Sequence, residues 1–148
     1  MFQIRRIKPE DIDFVLKLIG ECGISQGKLL SNIEGFLICE DNNTRCGCGC
    51  LAAKGGEGFI NWIAVSEGSR RNGLGTAITK ALLNIADHNG VEEVYAPGIC
   101  PDFLKALGFR ETGCEAPADR ARAVLGASEA CGYYMVPIEG YFKPCSQK

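Results

Sequence analysis

The spacing of apolar positions changes period several times along the chain, and each change marks an element. "FQIRRI" alternates like a half-buried strand, and "KPEDIDFVLKLIGEC" then places Ile12, Val15, Leu16 and Ile19 on one helical face, with Pro9 near the helix start. "SQGKLLSNI" reads as a short second helix. Phe36 to Glu40, Arg45 to Ala53 and Gly58 to Val65 predict three strands, joined by "DNNT" and "KGGE" turns short enough for an antiparallel meander. The clearest helix follows, since Leu74, Ala77, Ile78, Ala81, Leu82, Ile85 and Ala86 keep i, i+3, i+4, i+7 spacing up to Asn89-Gly90. "VEEVYA" predicts another strand, "PDFLKALGF" a short helix from Pro101 to Gly108, and "GYYMVPI" a last strand, while "APADRARAVLGASEA" stays open between helix and loop. No linker, repeat or low-complexity tract interrupts the order. The expectation is one α/β domain over 1–148, of mixed α+β type, with a mixed, mostly antiparallel sheet and helices on both faces.

Charge and cysteine usage narrow the partners. Lys and Arg number 16 against 18 Asp and Glu, so no overall positive field exists for nucleic acid or an anionic membrane, and any electropositive site must be local. No apolar run approaches the roughly 20 residues that span a bilayer, and "MFQIRRIKPEDIDF" lacks the apolar core of a secretory signal, which points to the cytoplasm. The nine cysteines include no CxxC pair and do not form a disulfide framework. Read as a strand, "CGCGC" projects Cys46, Cys48 and Cys50 from one face at intervals of about 6.8 Å, too far apart to share one tetrahedral zinc; no metal is expected. These thiols are expected to be small apolar side chains on a buried sheet face, with glycines opposite.

Between the strand ending "IAV" and the strong helix lies "SEGSRRNGLG". A helix N-terminus offers unpaired N–H groups and a partial positive charge, and glycine there lets an anion sit against the backbone itself. Phosphate is the expected anion. A P-loop would need a Lys-Ser or Lys-Thr after the second glycine, and a dinucleotide fingerprint a third small residue where Ile78 stands.

What remains is R-x-x-G-x-G, Arg70 to Gly75, between a strand and a helix. In this it resembles the GNAT superfamily of N-acetyltransferases, whose pyrophosphate signature is Q/R-x-x-G-x-G/A at this place in the fold. "FLKALGF", Phe103 to Phe109, is similar to the family's later "FYEKLGF", and the order of elements agrees over nearly the whole chain. The resemblance leans toward small single-domain enzymes similar to N-acetylglutamate synthase. It implies acetyl-CoA as co-substrate, bound by Arg70, Arg71, Asn72, Gly73, Leu74, Gly75 and Thr76. It also implies a bulge near the end of the fourth strand, where Ile63, Ala64 and Val65 would pair with pantetheine and supply a backbone N–H to the oxyanion.

Direct acetyl transfer to an amine also needs a base and an acid. Where many relatives place a strand-four glutamate this chain has Asn61, which cannot take a proton; Glu57, Glu67 or a water chain could substitute. The family tyrosine becomes Leu104, which leaves Tyr95, Tyr133, Tyr134 or Cys100 as candidate acids. Asn61, Cys100 and Tyr134 are carried forward as candidate catalytic residues. His88, the only histidine, lies about 20 Å from the glycine end of its helix and reads as a C-terminal cap. The implied function is N-acetylation of a small amine or amino acid; the alternative is a catalytically silent acyl-CoA-binding module. A homodimer is compatible with an unpaired edge strand.

Overall fold

A computed structural model describes residues 1–112, 115–126 and 132–142, with residues 115–118 as backbone only. Seven strands, β1 (Phe2–Arg6), β2 (Phe36–Asp41), β3 (Thr44–Lys54), β4 (Glu57–Val65), β5 (Glu93–Pro97), β6 (Arg110–Glu111) and β7 (Tyr133–Pro137), form one sheet in the order β1-β2-β3-β4-β5-β7-β6. Only the β4–β5 pair is parallel, so the sheet is mixed and mostly antiparallel as expected.

Four helices cover both faces: α1 (Ile12–Glu21), α2 (Leu74–His88), α3 (Pro101–Ala106) and α4 (Glu115–Leu125). Leu74, Ile78, Leu82 and Ala86 of α2 and Leu104 of α3 pack with Leu37, Ile60, Val94 and Val136 on one face. Val15, Leu18 and Ile19 of α1 and Ala121 and Leu125 of α4 pack with Ile38, Phe59 and Tyr133 on the other. Each face is thus the apolar stripe of one or two amphipathic helices set on alternate strand residues.

The seat of α2 is cut by glycine. A Cβ built on Gly49 would stand 2.6 Å from Ile78 Cγ2 and 3.3 Å from Leu82 Cδ1, and one on Gly47 would stand 3.1 Å from Ile78 Cδ1. The bare strand lets the helix lie close against the sheet. Gly49→Val is therefore expected to overpack this contact and destabilise the protein by about 1–3 kcal/mol, read as a lower urea midpoint at unchanged slope. A midpoint equal to wild type would show that α2 can lift off the sheet without cost.

Three local expectations are corrected. The three thiols of "CGCGC" do not share a face: the β2–β3 register slips between Cys39↔Gly47 and Glu40↔Arg45, and this bulge turns Cys46 toward α2, while Cys48 and Cys50 face α1. All three remain buried. The second helix is a 3-10 turn over Leu30–Gly35, broken at Asn32. Asn32 Nδ2 donates to the carbonyls of Lys28 and Val124, and Lys28 N–H to that of Leu125, so this segment is tied to α4 as well as to its own backbone. The open segment after residue 115 is helix through Leu125; residues 127–131 lie outside the described residues. Strand β6 went unforeseen because two residues carry no periodicity.

Candidate active site

The loop before α2 supplies the first half of the site. Arg71 (φ +70°) and Gly73 (φ +75°) both sit in the left-handed region, which curls the chain so that α2 begins directly on Gly73. The first bond that closes the helix runs from Ala77 N–H to the Gly73 carbonyl at 3.0 Å, which leaves the amides of Leu74, Gly75 and Thr76 without intrahelical acceptors. No acidic residue stands in this turn, and Arg71, Asn72 and Gly73 are exposed beside it. Convergent amides, a helix dipole and a free cation fit a phosphate group. Arg70 is turned the other way: Nε donates to the Val65 carbonyl at 3.1 Å, and Nη2 reaches Cys22 Sγ at 3.6 Å. It ties the end of β4 to the end of α1. Gly75 lies against Phe103, at ordinary contact distance for a methyl group.

The second half is a gap in the sheet. Strands β4 and β5 pair only from Glu57↔Glu93 to Phe59↔Tyr95, although both continue beyond that point. On its other side β4 carries a bulge, because Cys48 pairs with Ala64 and Cys50 with Asn61, so Gly49 alone faces Trp62 and Ile63. Trp62 takes φ +52°, a conformation costing a bulky residue on the order of 1–3 kcal/mol. Its surroundings hold it there: the indole Nε1 donates to the Ser25 carbonyl at 2.9 Å, the ring stacks on Phe36 at 5.8 Å, and Cys48 Sγ donates to its carbonyl. Beyond Phe59↔Tyr95 β4 has no ladder pairing with β5, so the β4 backbone groups on that edge have no strand partner among the described residues.

Together these open a cleft of about 270 Å³ that passes between the faces of the sheet. Ile60, Ile63 and Leu104 line it from the α2 side, and Asn61, Trp62, Cys22 and Ile24 from the α1 side, with Pro97, Ile99 and Cys100 at the end of β5. Among the described residues, no lining side chain is charged.

The predicted site residues divide accordingly. Asn61, Ile63 and Cys100 line the cleft; Arg70 to Thr76 are not among the lining residues, and the helix start adjoins the cleft through Gly75, which lies against the lining residue Phe103, while Ala64 and Val65 continue β4 past the bulge. Tyr134 is 8% exposed, packs in the α2-side core and is not among the lining residues. Tyr95 donates to Glu93 from the core, and Tyr133 is buried. Glu57 lies about 13 Å before Asn61 along β4 and is ion-paired to Arg120 at 2.6 Å. Glu67 is exposed in a 3-10 turn past the strand. His88 Nδ1 meets the Asn84 carbonyl at 2.8 Å at the end of α2. Sequence reasoning missed Cys22, Ile24 and Trp62, which belong to loop or bulge and carry no periodic signal.

The strongest electrostatic feature lies outside the cleft. Asp11, with no exposed surface, accepts two bonds from Arg5 (2.7 and 3.0 Å), one from Arg45 Nε (2.7 Å) and one from the Lys8 N–H (2.7 Å). The Arg5 bonds, with those from Lys8 and Arg45, hold its carboxyl well below the usual carboxylate range against the opposing effect of burial. This joins α1 to β1 and β3 and is structural.

The cysteines fall into two chemical groups. Burial pushes the Cys39 and Cys48 thiols up to about 12 and raises Cys46 and Cys50 as well, whereas Cys22 and Cys100 open on the cleft. In native protein, peptide mapping after a short pulse of alkylating reagent is expected to find Cys22 and Cys100 labelled and the four sheet cysteines unlabelled until denaturant is added. Rapid native labelling of Cys48 and Cys50 would contradict the buried face. Cys145, a further candidate for easy modification, lies outside the described residues.

Comparison with known proteins agrees with this geometry. The domain of N-acetylglutamate synthase from Neisseria gonorrhoeae, complexed with coenzyme A and N-acetyl-glutamate, superposes with a TM-score of 0.78 at 21% identity over 93% of this chain. The chain spans only 35% of that synthase. An acetyltransferase of the GNAT family from Staphylococcus aureus matches with a TM-score of 0.75 at 15% identity, over 93% of this chain and 99% of its own. A Mycobacterium tuberculosis protein in complex with CoA matches with a TM-score of 0.73 at 20% identity, over 90% and 96%. No curated protein sequence matches significantly. These structural likenesses are of fold; the family rests on sequence, where the Acetyltransferase (GNAT) family model matches residues 10–114, most of the chain and all of the cleft-forming strands β4 and β5. The chain belongs to the Acetyltransferase (GNAT) family.

Proposed function

We propose that this protein is an acetyl-CoA-dependent N-acetyltransferase, acting as a single domain, that passes acetyl directly to the amine of a small molecule or amino acid. The observation that carries this reading is the cleft through the sheet, open to α2 on one face and to α1 on the other. A donor anchored by its phosphates on the amides of Leu74, Gly75 and Thr76 would lay its uncharged arm between β4 and β5. An acceptor entering from the α1 side would then meet the thioester without an enzyme-bound acyl group. The amine attacks the carbonyl carbon, a β4 backbone N–H on the edge left without a strand partner donates to the oxygen as it gains charge, and the CoA sulfur departs. Asn61 can accept a hydrogen bond from the amine and orient it. The structural neighbour that holds N-acetyl-glutamate, an N-acetylated amino acid, supports an amino-acid-sized acceptor.

Among the described residues the cleft lining offers no carboxylate, imidazole or phenol, and this favours one second reading, a silent acyl-CoA-binding module. Two measurements separate the readings. Acetyl-CoA at 100 times its Kd is expected to stabilise the fold by about 2.7 kcal/mol, and a melting temperature unmoved at saturation would remove both. Release of CoA thiol with any member of an amine panel selects the enzyme; binding without release selects the module.

A further inference from the structure

We infer that Cys22 is a modification site for coenzyme A disulfide, captured as a mixed disulfide that holds CoA covalently across the donor cleft. The inference rests on the reading of the cleft as an acyl-CoA site and adds a reaction to it.

Six free cysteines are described, and four of them lie fully buried in the sheet. Cys22 and Cys100 are the other two, and both line the same cleft. They differ in what stands beside the sulfur. Cys22 caps the end of α1, half-buried, with the Arg70 guanidinium 3.6 Å from Sγ, so a cation already stands where negative charge forms when the thiol becomes a nucleophile. Arg70 opens the phosphate-binding loop, and it therefore links that sulfur to the element that would anchor a CoA nucleotide. Cys100 sits at the exposed mouth beside Ile99, and among the described residues no hydrogen bond or ion pair to its sulfur is seen.

The lining decides which disulfide is admitted. Among the described residues it is apolar apart from Asn61 and the thiols, and it carries no charge. Glutathione disulfide would bring carboxylates and ammonium groups next to its sulfurs and would have to desolvate them in the cleft. Coenzyme A disulfide keeps its charge at the phosphate end, which the start of α2 accommodates, and presents sulfur on an uncharged arm. Discrimination should follow from where the charge lies. In the exchange the Cys22 thiolate attacks one sulfur of the disulfide, a Cys22–CoA S–S bond forms, and the CoA–CoA S–S bond breaks. The second CoA leaves as a thiolate that takes up the proton Cys22 lost, and the disulfide oxidation level passes unchanged to the mixed disulfide. The bound CoA would then block acyl-CoA until a thiol reductant removes it.

The test incubates native protein with coenzyme A disulfide or glutathione disulfide at equal concentration and follows intact mass and peptide maps. One CoA adduct on Cys22 is expected, reversed by dithiothreitol, and formed faster than the glutathione adduct by about tenfold or more. Cys22→Ser should abolish it, Cys100→Ser should not, and Gly73→Asp should slow the CoA reaction to the glutathione rate. Equal rates for the two disulfides at Cys22, a Cys22 peptide that stays unmodified, or a CoA adduct elsewhere in Cys22→Ser that forms as fast as the Cys22 adduct does in wild type would overturn the inference. Calorimetric binding of acetyl-CoA to the same sample keeps the two ideas apart. If acetyl-CoA binds and Cys22 stays free, only this inference fails; if acetyl-CoA does not bind, the acyl-CoA reading fails with it.

Discussion

Gly73→Asp is expected to lower acetyl-CoA affinity nearly a thousandfold in a protein that stays folded. The position is open, with no atom within 4 Å of where a Cβ would stand, so the side chain meets no wall of the protein itself. Gly73 has φ +75°, a region that L residues pay for, with Asn and Asp the least disfavoured. Aspartate is also well placed at the start of α2, because its charge meets the positive end of the dipole. The fold should therefore tolerate it. The ligand should not, since a carboxylate a few ångströms from a pyrophosphate costs about 4 kcal/mol per like-charge pair at 4 Å and an effective dielectric near 20. Gly73→Asn has the same shape without the charge and should lose no more than about tenfold, while Gly73→Ala reports the backbone cost alone. Calorimetric titration of all three, with circular dichroism to confirm folding, gives the answer. A folded Gly73→Asp that binds within threefold of wild type would place the phosphates elsewhere.

Asp11→Ala should produce the largest loss of stability, about 3 kcal/mol. Removing one member of a buried ion pair costs about 3–5 kcal/mol because the partner charge is left uncompensated. The low end applies here, since the Arg5 and Arg45 side chains are 23% and 36% exposed and Arg5 keeps Glu40 at 2.9 Å. The pH dependence has a definite sign. The folded carboxyl lies below its unfolded value of about 3.9, so its contribution is complete above that pH and declines as pH falls below it toward the folded value. Urea midpoints for wild type and variant should differ most at neutral pH, and the gap should begin to narrow once the pH falls below about 4. A gap that stays constant with pH would mean that packing, and not the ionised carboxylate, accounts for the loss.

Much of this arrangement was legible in one dimension. The short, nearly continuous apolar runs in "FLICE" and "GFINWIAV" identify strands buried on both faces, and the 3.6-residue period from Leu74 to Ala86 identifies a helix with one apolar face. The glycine loop before α2 was legible because a helix start needs particular residues next to one another in sequence. Asp11 was not, since nothing in "KPEDID" distinguishes it from Glu10 or Asp13; its partners Arg5 and Arg45 come from strands brought together by folding. Cys46 was assigned to the wrong face for a similar reason, as strict alternation cannot register a bulge that depends on pairing with β2.

The sequence by itself determined the order of most elements, the two apolar faces and the glycine loop that opens α2, all of which follow from local periodicity and from backbone freedom at glycine. Only the tertiary structure decided that β4 and β5 part after Phe59, that Trp62 is held in a left-handed bulge by Ser25, Phe36 and Cys48, and that Cys22 and Cys100 face one cleft. The physical reason is range. A helix or a glycine turn is set by neighbours within a few residues, whereas a gap between strands and the side chains lining it depend on contacts among segments far apart in the chain, whose register exists only once the sheet has formed.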